Sequence, residues 1–154
     1  MTEMTVPTTY FAQPGPQNTA RTLEIARRRV EELDLHTVLV ASTRGETGVQ
    51  AAREFEGYDV IVVTHSTGFA RPNTQELTDE NRTAIEDAGA RILTCQHAFG
   101  GINRAVRKKL GTYLTDEIIA YTLRTFGEGM KAVSYTHLRA HETSLHLVCR
   151  LLLE

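Results

Sequence analysis

Two hydrophobic rhythms alternate along this chain, one of helical period and one of short unbroken apolar runs. Leu23, Ala26, Val30 and Leu33 recur at helical spacing with Arg27, Arg28, Glu31 and Glu32 on the opposite face, which predicts an amphipathic helix over residues 19–33. Asn18 stands where its side chain would cap it. Residues 36–41 (HTVLVA) and 59–64 (DVIVVT) are β-branched runs of the kind buried on both faces of a parallel sheet, and the first is expected as a central strand. A loop at residues 42–48 and an Ala-rich helical stretch through Ala52 and Phe55 separate them, giving a βαβ unit with a right-handed crossover. A loop at 65–75, holding Gly68, Pro72 and Asn73, leads to a helix capped by Thr78, with Asp79 and Glu80 in its first turn and Gly89 at its end. A third strand follows at 91–95, a turn at 97–101, and two helical stretches at 102–110 and 115–127. This alternation predicts an α/β fold with a three-layer, doubly wound parallel sheet and helices on both faces.

Before residue 18, Pro7, Pro14, Gly15 and Pro16 exclude a regular helix and leave at most a short extended piece at 9–12, so residues 1–17 read as a lead-in. Length and composition add bounds. The 154 residues, 41% hydrophobic and 23% charged, fit one domain and exclude disordered or collagen-like sequence. The 17 basic and 19 acidic residues are interspersed, so no basic face is laid out for a nucleic-acid backbone. No apolar run approaches the ~18 residues of a membrane span, and the first ten residues lack the features of a signal peptide; a cytoplasmic protein without membrane partners is expected. Cys95 and Cys149 lack CxxC spacing, so the expectation is buried free thiols without redox, metal or nucleophilic duty.

Residues 133–154 break the pattern, carrying three of the six histidines and neither glycine nor proline. Residues 133–143 resemble the translation of a transposon-end sequencing adapter, and 147–154 the flow-cell end of the same adapter, separated by an index-length gap. The alternative is a genuine amphipathic helix, because Leu145, Val148, Leu151 and Leu152 have helical spacing. On the adapter reading the native sequence ends near Ala132, and His137, His141, His146 and Cys149 carry no functional weight.

Four segments, YFAQPGPQNT (10–19), VLVASTRGETG (38–48), VIVVTHSTGF (60–69) and EIIAYTLRTFGEGMK (117–131), together resemble the stand-alone proteins built on the pyruvate kinase C-terminal, or α/β, domain. The resemblance implies a five-stranded parallel sheet between helices, whose last two strands follow the region where this chain stops matching. Residues 18–132 would then be a truncated domain with an open apolar sheet edge and poor solubility. It implies no kinase activity, because pyruvate kinase works in a separate barrel domain; the C-terminal domain is regulatory and in many of those enzymes binds a sugar bisphosphate.

In an open α/β sheet a ligand lies beyond the carboxyl ends of the strands, where loops meet helix N-termini. At residues 42–48, Gly45 permits close backbone approach and Ser42, Thr43 and Thr47 offer hydroxyls to an anion. The loop resembles the phosphate-holding turn of the pyruvate kinase domain, although Glu46 stands where a basic residue is common and leaves Arg44 to compensate. An ordinary capped helix start is the plainer reading of those residues. Two further loops are expected at the same edge, Thr64-His65-Ser66-Thr67-Gly68-Phe69 and Gln96-His97-Ala98-Phe99-Gly100-Gly101. The candidate ligand set is Ser42, Thr43, Gly45, Thr47, Thr64, Gly68 and Gly100, with His65 and His97 as candidate acid/base groups because histidine titrates near neutrality. Phe69 and Phe99 are candidate walls for an aromatic ring, and no metal site is expected.

The leading expectation is therefore a small-molecule-binding domain for a phosphorylated metabolite or a nucleotide, a flavin included. The alternatives are an enzyme using a loop histidine on such a ligand, and a structural or regulatory subunit whose helical face at 115–127 packs on another copy.

Overall fold

The computed structural model describes residues 3, 5–96 and 100–142. Strands β1 (Thr37–Ala41), β2 (Asp59–Thr64) and β3 (Arg91–Thr94) form one parallel sheet in the order β1-β2-β3, with Leu39 opposite Ile61 and Ile61 opposite Arg91. The fold is α/β. β2, not β1, is central: every β2 residue after Asp59 is buried, whereas β1 alternates and ends exposed at Ala41. The expectation of a central β1 fails because no strand among the described residues pairs with its outer side. A valine-rich run marks a strand, but not how many neighbours it has.

Helices α1 (Thr19–Glu32), α2 (Glu46–Glu54) and α3 (Asp79–Asp87) pack against the even-numbered side of the sheet. Val30, Ala51, Ala52, Phe55 and Ile85 share one core with Val38, Val40, Val60 and Val62. Phe55 and Ile85 are fully buried, and each such side chain stabilises the fold by roughly 1.5–3 kcal/mol. On the odd-numbered side Ala41 and Val63 face α6 (Glu128–Glu142), which also contacts β1. Helices α4 (Gly100–Leu110) and α5 (Thr115–Arg124) complete the chain order.

Most predicted boundaries lie within three residues of the observed ones. α3 is capped as expected, Thr78 Oγ1 accepting from the Asn81 amide at 3.2 Å. Asn18 is not a side-chain cap. It closes a 3₁₀ turn, Pro16–Asn18, already has helical backbone angles, and turns its amide to the Gln13 carbonyl at 2.6 Å. No strand forms at 9–12, where nothing lies alongside to pair. Cys95 follows an edge strand and is only partly buried, because no layer covers the outer side of β3 among the described residues. α6 runs through the adapter-like residues, with Tyr135, Thr136, Arg139 and Ala140 buried. Leu145, Val148, Leu151, Leu152, His146 and Cys149 lie outside the described residues.

Candidate functional site

Parallel pairing brings the loops after β1 and β2 to one edge. The Ser42 amide donates to the Val63 carbonyl at 3.0 Å, tying the start of the first loop to the end of β2. The first loop is then pinned from the far side: Thr78 N and Asn81 Nδ2 both donate to the Arg44 carbonyl, at 3.3 and 3.0 Å. Gly45 has a left-handed φ of 108°, and a Cβ there would sit 2.5 Å from Asn81 Cβ and 2.7 Å from Leu77 Cδ1. The close approach that glycine permits at this position is to α3. Ser42 is buried, and its Oγ accepts from the Gly48 amide at 3.1 Å, so it also holds the first turn of α2.

The second loop leaves β2 at Thr64, which is buried and shares a 2.7 Å hydroxyl contact with Thr94 on β3. Gly68, at φ 82°, donates its amide to the Thr74 carbonyl at 2.9 Å and closes the loop on itself. Gln75 folds back under this turn, its Nε2 donating to the His65 carbonyl at 3.0 Å. His65 Nδ1 lies 2.9 Å from Glu76 Oε2, and the His65 ring lies against Phe69 with centroids 4.2 Å apart.

These loops floor a cleft of about 310 Å³ between the sheet edge and the later helices. Ser42, Thr43, His65, Ser66 and Phe69 line it from the sheet side. From the helical side come Arg104 of α4, Arg124 of α5 and Lys131 of α6, together with Tyr135, Thr136 and Arg139. Among the described residues, four side chains in the lining are cationic and none is a carboxylate. Arg104 stacks over Phe69, 4.5 Å from its centroid, while Arg124 Nε pairs with Glu128 at 2.7 Å. The Lys131 ammonium is held below the ordinary lysine range, chiefly by burial and then by Arg124 and Arg104, with Glu128 opposing. Arg139 belongs to the adapter-like residues and donates to the Thr64 carbonyl at 2.7 Å and to the Cys95 carbonyl.

Of the candidates read from sequence, Ser42, Thr43 and His65 meet in this cleft, with Phe69 beside them. Gly45, Thr47, Thr64 and Gly68 are outside its lining: Gly45 and Gly68 build the loops, Thr47 lies in the first turn of α2 and Thr64 ends β2. Gly100 is the first residue of α4; His97 and Phe99 lie outside the described residues. Arg44 and the exposed Glu46 are also outside the lining, so the charge in this cleft is set by Arg104, Arg124 and Lys131. Sequence reading passed over these three because each sits in a helix as an ordinary solvated cation; only the helix arrangement brings them together. It also missed Glu76, eleven residues beyond His65 on the returning arm of the same loop.

A larger cavity of about 600 Å³ lies among α4, α5 and α6 and shares Arg104, Arg124 and Lys131 with the cleft. Its lining also includes Arg107 and two carboxylates, Asp116 and Glu117, and Glu117 pairs with Arg107, so carboxylates offset part of its positive charge. Among the described residues no group of three or more His, Cys, Asp or Glu side chains is placed to hold a metal ion, and no helix is long and apolar enough to cross a membrane. No protein-family model matches the chain.

Proposed function

We propose that this protein binds a small phosphorylated metabolite, of the sugar-phosphate or nucleotide class, in the cleft at the carboxyl edge of its sheet. One observation carries the reading: a pocket of metabolite size whose charged lining is wholly cationic. Lys131 is repelled by Arg124 and Arg104, and the desolvation that lowers its pKa makes its charge costly until an anion joins it. Removing Arg139 from consideration leaves Arg104, Arg124 and Lys131, so the positive charge of the cleft does not depend on the adapter-like residues. The Ser42 and Thr43 hydroxyls, at the strand-to-helix turn, suit a phosphate oxygen. A flavin or other nucleotide belongs to the same ligand class, with Phe69 and Tyr135 as apolar walls. The same reading takes the fold to be the three-layer pyruvate kinase C-terminal-like sheet, supported by the four resembling segments and by an outer edge of β1 that would accept a further parallel strand.

The test is thermal denaturation of the full chain against inorganic phosphate, pyrophosphate, a sugar bisphosphate and flavin mononucleotide at constant ionic strength. Ligand at about a hundredfold over Kd stabilises a protein by roughly 2.7 kcal/mol, so a dose-dependent rise in Tm is expected with a phosphorylated ligand and not with chloride. The double variant Arg104→Met, Lys131→Met should lose that rise while unfolding cooperatively. Equal Tm values for all anions, or an unchanged rise in the double variant, would overturn the proposal.

A further inference from the structure

The cleft holds one group whose protonation the surrounding structure dictates. His65 lines it, and Nδ1 of its imidazole is 2.9 Å from Oε2 of Glu76, a residue outside the cleft lining. A carboxylate accepts only, so in the neutral ring Nδ1 carries the proton and Nε2 carries the lone pair. Phe69 lies against the imidazole at 4.2 Å between centroids and also supports Arg104 at 4.5 Å. One aromatic ring thus fixes the base and a cation side by side.

We infer that His65 is the proton acceptor of this cleft, with Glu76 as its positioning residue, and that the ligand is a phosphorylated metabolite bearing a hydroxyl within reach of Nε2. This rests on the anion-binding reading above. Arg104 and Lys131 fix the phosphate, and the hydroxyl then donates to Nε2. If the proton transfers, the O–H bond breaks, its electron pair stays on the ligand oxygen, an N–H bond forms at Nε2, and Glu76 compensates the imidazolium. Substrates whose equivalent position is a ketone or a methylene lack the proton to give. The geometry is that of a general base oriented by a carboxylate, the pairing that acid/base chemistry requires.

The tautomer is the test, because a histidine in water favours the opposite form, with the proton on Nε2. Nitrogen-15 long-range NMR of the histidine-labelled full chain, above the titration range of the imidazole, is expected to show His65 mostly protonated at Nδ1. Glu76→Leu should reverse it to mostly Nε2–H, and Glu76→Gln, which keeps an acceptor oxygen, should restore it. Titrating a sugar bisphosphate, which carries hydroxyls as well as phosphate, should then move the His65 Nε2 resonance more than inorganic phosphate does and leave that of the exposed His36 in place. An Nε2–H form in the wild-type chain, or a tautomer indifferent to Glu76→Leu, overturns the inference. A sugar bisphosphate that raises the Tm but leaves the His65 resonance in place overturns it while leaving the anion site standing; no rise in Tm with any phosphorylated ligand overturns the anion site itself.

Discussion

Ile85 of α3 is 0% exposed, whereas Ile102 of α4 is 80% exposed and Phe126, just beyond α5, is 75% exposed. The two regions draw on the same helical periodicity, yet one closes a core and the other leaves its stripe in water. α1, α2 and α3 find a sheet face within reach, and their apolar residues interlock with Val38, Val40, Val60 and Val62. α5 packs on α6, and α4 meets α5 through the polar pairs Asn103–Asp116 and Arg107–Glu117, leaving Leu110, Tyr113, Ile118 and Tyr121 exposed as well. Amphipathic patterning says which face of a helix seeks burial; only an opposing layer provides it.

The sharpest way to break this contrast is in the closed region. Phe55 is fully buried and meets Tyr58 edge-to-face at 6.0 Å between centroids. Phe55→Ala should cost about 3–5 kcal/mol, read as a fall in the midpoint of denaturant unfolding with the slope unchanged. A loss near zero would mean that the sheet and α1–α3 do not hold the core described. Gly45→Ala comes next, at about 1–3 kcal/mol, since it combines a left-handed φ with contacts to Asn81 and Leu77 that leave no room for a Cβ. Because α3 can yield slightly, a value at the lower end is the more telling one: it would show the first loop to be less rigid than its four hydrogen bonds imply.

Arg139→Ala probes the seam between the regions. Its guanidinium serves the Thr64 and Cys95 carbonyls, and leaving such buried acceptors unsatisfied costs about 1–3 kcal/mol. An effect of that size in the full chain would show the distal half of α6 docked on the strand ends despite its adapter-like sequence; no effect would show that the sheet edge stands without it. By contrast Phe126→Ser should change stability by less than about 0.5 kcal/mol, as for other surface positions, and raise the protein concentration at which scattering begins, because it removes one member of an exposed apolar group.

Much of this was readable beforehand in the closed region and little of it in the open one. Strand β2, the Thr78 cap and the α1 periodicity were legible because each depends on neighbours within one or two turns of sequence. The edge position of β1 was not, since strand neighbours are chosen across the chain. The same distinction runs through the cleft. Ser42, Thr43 and His65 were found from loop chemistry at strand ends, while Arg104, Arg124 and Lys131 were invisible as a group because they lie on three different helices. Gly45 was expected to let the backbone approach a bound anion; what comes near it is α3, which sequence could not say.

The smallest expected effect is also the one that joins the two regions, at Lys131. Burial and the neighbouring Arg124 and Arg104 hold its folded-state pKa below that of the unfolded chain. Between the two values the unfolded chain binds the extra proton, so stability rises with pH through that window; below it the cost of the buried charge is fully present, and above it the cost is gone. Lys131→Met should therefore stabilise the ligand-free protein slightly on the acid side of that window, with the advantage shrinking as pH climbs toward the ordinary lysine range and gone above it. With inorganic phosphate the sign should invert, because the anion turns the same charge from a cost into a contact. Denaturation curves of both proteins at neutral and alkaline pH, with and without phosphate, read this directly; a variant less stable than wild type in every condition would mean that Lys131 serves packing and not an anion.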